Sequence, residues 1–385
     1  MSSLVEATES GFNEAAAMPE RVPRAQTATA VTLDSLILDS GEVLAPVTLA
    51  YETWGRLAPA ADNAILLCHA LTGSAHARDA ELPDDPRAGW WNPLIGPGRA
   101  FDTNYYFVIC SNVLGGCNGS TGPTSPHPAD DEPYRLRFPL VTVGDMVRAQ
   151  HALLHHLGIT RLAAVAGGSL GGMQALEWTL AYPGDVARAV VVGASAQLSA
   201  QGLAIDDIGR QAILSDPAWQ DGSYAPGKGP ATGLGIARML ALLTYTSPAG
   251  LAERFGRRAA TQPSTWPSFG PRLDVETYLH HQADKLVRRF DANTYLYLSS
   301  AMDRYNATDG RGSEADTLAR VQAEVLAVGI SSDWLFPAAH VRALAEGIVA
   351  AGGRARYVEV QSLNGHDAFL KDWDQMEAIL RPFLV

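Results

Sequence analysis

The run Val165-Ala166-Gly167-Gly168-Ser169-Leu170-Gly171-Gly172 decides how this chain is read. Residues 162–166 lead into it as a short apolar stretch, the composition of a buried parallel strand. A helical pattern over residues 172–182 leads out of it, and Pro183 closes that pattern. Between them, Gly167-Gly168-Ser169-Leu170-Gly171 fits G-x-S-x-G. A strand that turns this abruptly into a helix leaves little room beside the serine, so glycines flank it. The turn lifts the hydroxyl above the sheet edge, and the helix N-terminus favours negative charge developing there. The pentapeptide alone is common by chance, and a Gly-rich turn that holds a serine is the simpler reading. Its strand–turn–helix setting points to catalysis.

Toward the N-terminus, residues 31–51 alternate apolar and polar around Asp39-Ser40-Gly41, a hairpin or meander at a sheet edge. Residues 63–69 form a continuous apolar run, hence a central strand, which ends in His69-Ala70-Leu71-Thr72-Gly73-Ser74. That loop lies where a second oxyanion amide would be supplied. Trp90 and Trp91 read as packing. After a β-rich run at 105–111, residues 114–123 are glycine-rich enough to approach a ligand or another loop closely. No Gly-Lys-Ser/Thr follows, so they are not a phosphate loop. Thr142-Val143-Gly144-Asp145 reads as a capping box for a helix running to about 156. His151 and His155 stand four residues apart on it. That spacing can hold a metal, but no Glu completes H-E-x-x-H, and no metal is expected.

Toward the C-terminus, residues 186–193 read as a further buried strand. From 197 to 306 the strands stop, and helical segments alternate with prolines. The α/β alternation resumes with a strand at 325–330, a helix at 337–350, a strand at 356–360 and a last helix at 368–380. The implied architecture is α/β, a mostly parallel central sheet interrupted once by helices. The expected division is a mobile tail at 1–25, a core at 26–196 and 307–385, and a helical cap (lid) at 197–306.

A nucleophilic serine needs a base, and the base needs an orienting acid. In the α/β-hydrolase order the acid follows the serine and the histidine comes last. Asp333 falls just past the 325–330 strand, and His366 just past the 356–360 strand. Asp333 alone could be a helix cap. Three residues in this order, each at an expected strand end, read as a Ser169–Asp333–His366 triad. The oxyanion is expected to meet the backbone amides of Leu71 and Leu170.

Composition bounds the rest. The 385 residues are 47% hydrophobic and 18% charged, enough for one large α/β core with an insertion. A net charge of -12 argues against nucleic acid or an anionic membrane as partner. Cys68, Cys110 and Cys117 form no disulfide framework and suit a reducing compartment. No apolar run is long enough to span a membrane. Residues 1–20 lack the basic and apolar regions of a secretory signal. A cytoplasmic enzyme is expected.

With these residues in place the chain resembles the homoserine O-acetyltransferases, an acyl-CoA-dependent family of α/β-hydrolase fold in methionine biosynthesis. The resemblance runs from about residue 33 to 384. Its carriers include Tyr51-Glu52-Thr53-Trp54-Gly55, Gly89-Trp90-Trp91, Gly119-Ser120-Thr121-Gly122-Pro123, Gly209-Arg210-Gln211-Ala212-Ile213 and Gly365-His366-Asp367, together with the elbow. The resemblance implies a ping-pong reaction in which the serine takes acetyl from acetyl-CoA and passes it to the hydroxyl of L-homoserine, with no bound cofactor. It implies Arg238 and Asp367 as substrate-binding residues, matched to a carboxylate and an ammonium. Without it, Arg238 reads as a surface ion pair and Asp367 as a helix cap. It further implies a homodimer through the cap helices and a narrow tunnel that shields the acyl-serine from water. Homoserine or serine O-succinyltransfer on the same scaffold is the alternative, then an esterase or amidohydrolase, then a non-catalytic binding protein.

Overall fold

The computed structural model describes residues 29–79, 89–260 and 273–385. The expected tail at 1–25 and Pro263, Pro267 and Pro271 of the cap lie outside the described residues.

Eight strands form one sheet: β1 (Thr29–Leu33), β2 (Val47–Trp54), β3 (Ala64–Cys68), β4 (Phe107–Ser111), β5 (Ala164–Gly168), β6 (Arg188–Val192), β7 (Glu324–Ile330) and β8 (Arg354–Val360). Their spatial order is β1-β2-β4-β3-β5-β6-β7-β8. β2 runs antiparallel to both of its neighbours, and every other pairing is parallel. The expected edge meander is present, with a short ladder pairing Leu36–Ile37 to Val43–Leu44 between β1 and β2.

β3 and β5 are buried at every residue because both faces of the sheet are covered. Alternation along a strand sends successive side chains to opposite faces. Leu66, Cys68 and Val165 thus pack under helices α1 (Val143–His156) and α2 (Leu170–Ala181), against Met146, Leu153, Met173 and Trp178. Ile65, Leu67 and Ala166 face the other way, against Trp91 and helix α10 (Trp373–Leu384) with Met376, Leu380 and Phe383. Trp91 donates from its indole to the Phe369 carbonyl at 2.9 Å and stacks on Phe101, so it packs as expected.

Two boundaries differ from expectation. The strand read at 162–166 runs two residues later, because Gly167 and Gly168 pair in register with Val191 and Val192 of β6. Glycine disfavours strands in isolation, but here the central ladder overrides that preference. The helix read at 368–380 splits into a 3₁₀ turn, Gly365–Leu370, and α10. The Asp372 carboxylate between them accepts from the Ser362 hydroxyl and the Asn364 amide, which folds the chain back on itself. The capping box of α1 is present, with Asp145 N–H to Thr142 Oγ1 at 3.0 Å and Thr142 N–H to Asp145 Oδ2 at 2.9 Å.

Helices α3 (Ala200–Leu214), α4 (Ala231–Tyr245), α5 (Pro248–Arg254), α6 (Asp274–Val287) and α7 (Ala292–Asp303) lie between β6 and β7. An isolated bridge pairs Gln197 with Asn306 where this excursion leaves and rejoins the core. α3 and α4 pack closely at Gly233, where a Cβ would stand 2.4 Å from the Ala212 carbonyl oxygen. Helix α8 (Glu314–Leu318) follows that bridge and precedes β7, and α9 (Ala338–Ala350) joins β7 to β8. No described helix is long and apolar enough to cross a membrane.

Candidate active site

Register brings three loops to one edge of the sheet. Gly168 of β5 lies beside Val192 of β6, which lies beside Val328 of β7, and Ile330 ends level with Val360 of β8. Ser169, the residues after Ile330 and the residues after Val360 therefore leave the sheet together.

Ser169 joins β5 to α2 with φ 59° and ψ -126°. A non-glycine residue in this region carries roughly 1–3 kcal/mol of backbone strain, which the surrounding structure must hold. It is held: the Ser169 N–H donates to the Val192 carbonyl at 2.9 Å, and its own carbonyl accepts from Met173 N–H at 3.0 Å. The tightness of the turn shows at Gly171, where a Cβ would sit 2.0 Å from the Cys68 carbonyl oxygen.

Asp333 and His366 meet directly, Nδ1 to Oδ2 at 2.6 Å. The other carboxylate oxygen of Asp333 accepts from the N–H groups of Leu335 and Phe336, each at 2.9 Å. Asp333 is therefore not the cap of α9, whose N-cap is Pro337; one of its oxygens tethers the turn before that helix while the other faces the imidazole. The His366 ring stacks on Phe336 and meets Phe369 edge-on, which fixes its plane. Its Nδ1 proton is committed to Asp333, so Nε2 presents a lone pair. That Nε2 is buried with no hydrogen-bond partner among the described residues. Burial works against a proton on His366, but the Asp333 charge and hydrogen bond, and the Asp367 charge, outweigh it and raise its pKa.

Leu170 is the first residue of α2, so its N–H is one of the amides that a helix leaves unpaired. Leu71 lies in the loop after β3, and the close contact at Gly171 packs the start of α2 against Cys68 at the end of β3 and His69 at the start of that loop. His69 pins the loop: its Nδ1 bonds the Ala70 carbonyl at 2.8 Å, and its Nε2 accepts from Val113 N–H at 3.1 Å. Burial drops its pKa to about 4, so it serves as a neutral brace. From above, Arg289 donates to the Thr72 carbonyl at 2.8 Å. The glycine-rich loop 114–123 is tied to β2, through Thr121 N–H to the Thr48 carbonyl and Ala50 N–H to Ser120 Oγ. It thus meets another segment of backbone, one of its two expected roles.

The end of α4 reaches over Asp333 and His366. Trp334, next to Asp333, donates to the carbonyls of Leu243 and Thr246, and the Ser247 hydroxyl donates to Leu363. The Tyr245 ring centroid lies 5.9 Å from that of His366 and 5.4 Å from the guanidinium carbon of Arg238. Arg238 Nε is buried without a hydrogen-bond partner, and no ion pair to Arg238 exists among the described residues. The surface ion pair that the bare sequence allowed is absent there. Asp367, in contrast, has a partner the sequence did not suggest, Lys371 Nζ at 3.1 Å one turn on.

Sequence reasoning also missed Gly193, the residue after β6. Its φ is 51°, and a Cβ there would stand 3.2 Å from His366 Cε1 and 3.5 Å from Asp333 Oδ2. A glycine directly after a buried strand was the available signal. Tyr245 carried no comparable signal.

A family model described as alpha/beta hydrolase fold matches residues 63–372. A homoserine O-acetyltransferase of Symbiobacterium thermophilum is 53% identical over 350 residues, covering 91% of this chain and 91% of that protein. The crystal structure of a homoserine O-acetyltransferase from Bacillus anthracis aligns with a TM-score of 0.85 at 29% identity, covering 92% of this chain and 96% of that one. The structure of esterase E22 aligns with a TM-score of 0.84 at 29% identity, covering 93% and 99%.

Proposed function

This chain belongs to the homoserine O-acetyltransferase family, and we propose that it moves acetyl from acetyl-CoA to the side-chain hydroxyl of L-homoserine through an acetyl-Ser169 intermediate. His366 Nε2 takes the Ser169 proton as Oγ attacks the thioester carbonyl, and Asp333 holds the imidazole tautomer and balances its charge. The tetrahedral oxyanion lies against the amides of Leu71 and Leu170. Collapse breaks the C–S bond, and the proton on His366 passes to the departing thiol. The homoserine hydroxyl then attacks the acyl-serine, gives its proton to His366, and leaves as the acetyl ester while the proton returns to Ser169.

The observation that carries the acceptor is the unpartnered, buried Nε of Arg238 beside Tyr245. A buried guanidinium N–H without an acceptor is costly, and a substrate carboxylate would supply one with charge-assisted hydrogen bonds. Asp367 takes the substrate ammonium, sharing its carboxylate with Lys371. The working form is a cytoplasmic homodimer through the cap. Leu203 and Ile208 on α3 and Ile236 and Leu243 on α4 are exposed large apolar side chains, which favours a protein partner over water.

Esterase chemistry is the second reading, favoured by the likeness to esterase E22. CoA release separates the two. Acetyl-CoA and succinyl-CoA are each assayed with L-homoserine, L-serine or no acceptor, with Ser169→Ala as control. Release from acetyl-CoA that depends on homoserine, and falls by ~10^5 or more in Ser169→Ala, is expected. Acceptor-independent release would make the chain a hydrolase, and a preference for succinyl-CoA would change the donor while keeping the mechanism.

A further inference from the structure

We propose that His151, His155 and Asp185 form a binding site for one divalent transition-metal ion of the zinc class, apart from the acyl-transfer site. The two histidines lie one turn apart near the end of α1. Asp185 comes from the turn between α2 and β6, and no local sequence pattern links it to them. His151 Nε2 lies 3.2 Å from His155 Nε2 and 3.0 Å from Asp185 Oδ2, and the three donor atoms all fall within 4.8 Å of one another.

Those separations suit a metal. Ligands bound at about 2.0–2.1 Å around a tetrahedral zinc stand roughly 3.3 Å apart. They suit a metal-free cluster less well. Two neutral imidazole nitrogens and a carboxylate oxygen offer three lone pairs to a common point. One N–H can serve only one of the two short contacts well, whereas a cation at the common point would satisfy all three atoms together. Two imidazoles and one carboxylate favour zinc, cobalt, nickel or copper over magnesium or calcium, which prefer all-oxygen shells. With three protein ligands, the fourth position goes to water.

The ligands are also held in place. The His151 ring stacks on Tyr182 with centroids 3.8 Å apart and planes 5° from parallel, and it lies against buried Trp178. Asp185 is anchored through its backbone, donating to the Tyr182 carbonyl at 3.0 Å and accepting from Leu162 N–H at 2.7 Å. The His151 and Asp185 side chains keep 23% and 37% of their surface, so an ion can enter. The whole of α2, about 18 Å long, separates this cluster from Ser169. An ion here would clip the end of α1 to the turn before β6 and would act on stability.

The test uses the full chain, stripped with a chelator and titrated with Co2+, read by its visible absorption, then with Zn2+ to displace it. The wild type should take up one ion per chain in the four-coordinate form, and Zn2+ should raise its melting temperature. His155→Ala, at an exposed position, and Asp185→Asn, which keeps the side-chain shape, should each weaken binding by ~10-fold or more and abolish the Zn2+-dependent rise. Both variants should transfer acetyl at the wild-type rate in metal-free buffer, which also shows that they fold. Wild-type affinity in both variants, or no stoichiometric uptake by the wild type, would overturn the proposal. Neither result depends on which acyl donor or acceptor the enzyme uses.

Discussion

At the sheet edge, the groups that orient His366 already have their partners; in the helices between β6 and β7, several charged side chains keep a buried atom with no hydrogen-bond partner among the described residues. Asp333 accepts from His366, Leu335 and Phe336 at once. Arg238 Nε, Asp206 Oδ2 and Asp303 Oδ1 find no donor or acceptor among the described residues. The contrast separates preorganisation from readiness. The proposed mechanism asks the edge to hold one geometry through two acyl transfers, and the hydrogen bonds around Asp333 are made in advance. The charge in these helices needs compensation from elsewhere: under the proposed function a substrate carboxylate would supply it for Arg238, and a shared proton would supply it for the two carboxyls.

The largest expected effect tests the edge. Asp333→Asn leaves the shape in place but cannot hold the same imidazole tautomer, and kcat should fall by ~10^3–10^4. The pH profile adds a sharper criterion. His366 must be neutral at Nε2 to act as base, so kcat/KM falls as pH drops through its pKa. Burial alone would push that pKa down; the Asp333 charge and hydrogen bond, with the Asp367 charge, hold it above the ordinary value. Asp333→Asn removes the main opposing influence, so the acid limb of the profile should move to lower pH. A limb that stays where it was would mean that another group is the base, and the edge would lose its claim to be preorganised around His366.

Arg238→Ala tests the cap, with an intermediate effect. Charge-assisted hydrogen bonds are worth about 1.5–3 kcal/mol, so kcat/KM for homoserine should fall by roughly 10–100-fold. The acetylation half-reaction, followed as the burst of CoA release before acceptor is added, should be unchanged. Equal loss in both halves would show that Arg238 supports the edge and does not await the acceptor.

The same contrast explains what the sequence could reveal. The elbow, Asp333 and His366 were legible because each follows a buried strand, and strand ends are where a parallel sheet exposes function. Register then does the assembly, and it depends on backbone pairing that a periodic pattern already implies. The cap offers no such rule. Helices joined by prolines can be recognised as helices, but nothing in their spacing says that Tyr245 would lie against His366, or that Asp206 would face Asp303 across two helices. Arg238 was reached only through resemblance. Asp367 was named the same way, and its contact with Lys371 went unforeseen because the sequence placed Asp367 ahead of the last helix, as its cap, and not inside a turn shared with Lys371. Asp185 near His151 is a further case, two groups 34 positions apart in sequence and 3.0 Å apart in space.

The smallest expected effect bears on the two cap carboxyls, on α3 and α7. Burial comes first, and the facing Asp303 carboxyl second, in pushing the Asp206 pKa well above the usual carboxylate range. Arg210, 2.6 Å from Asp303 Oδ2, opposes this without cancelling it. Two carboxyls in contact hold together only if one keeps its proton. The folded pKa lies above the unfolded one, so folding takes up a proton. The resulting stability is complete below the ordinary value of about 3.9 and is lost as pH rises toward the folded pKa. Across that window the loss has an upper limit of about 1.4 kcal/mol per pH unit. Asp206→Asn supplies a permanent N–H to Asp303 and removes the titration. Its melting temperature should therefore fall less than that of the wild type as pH is raised from 4 toward 8, while kcat at neutral pH stays within ~3-fold. Parallel melting curves against pH would mean that the pair shares no proton, and Asp206 would then need an anionic-state partner within the cap, which would make the cap as self-sufficient as the edge.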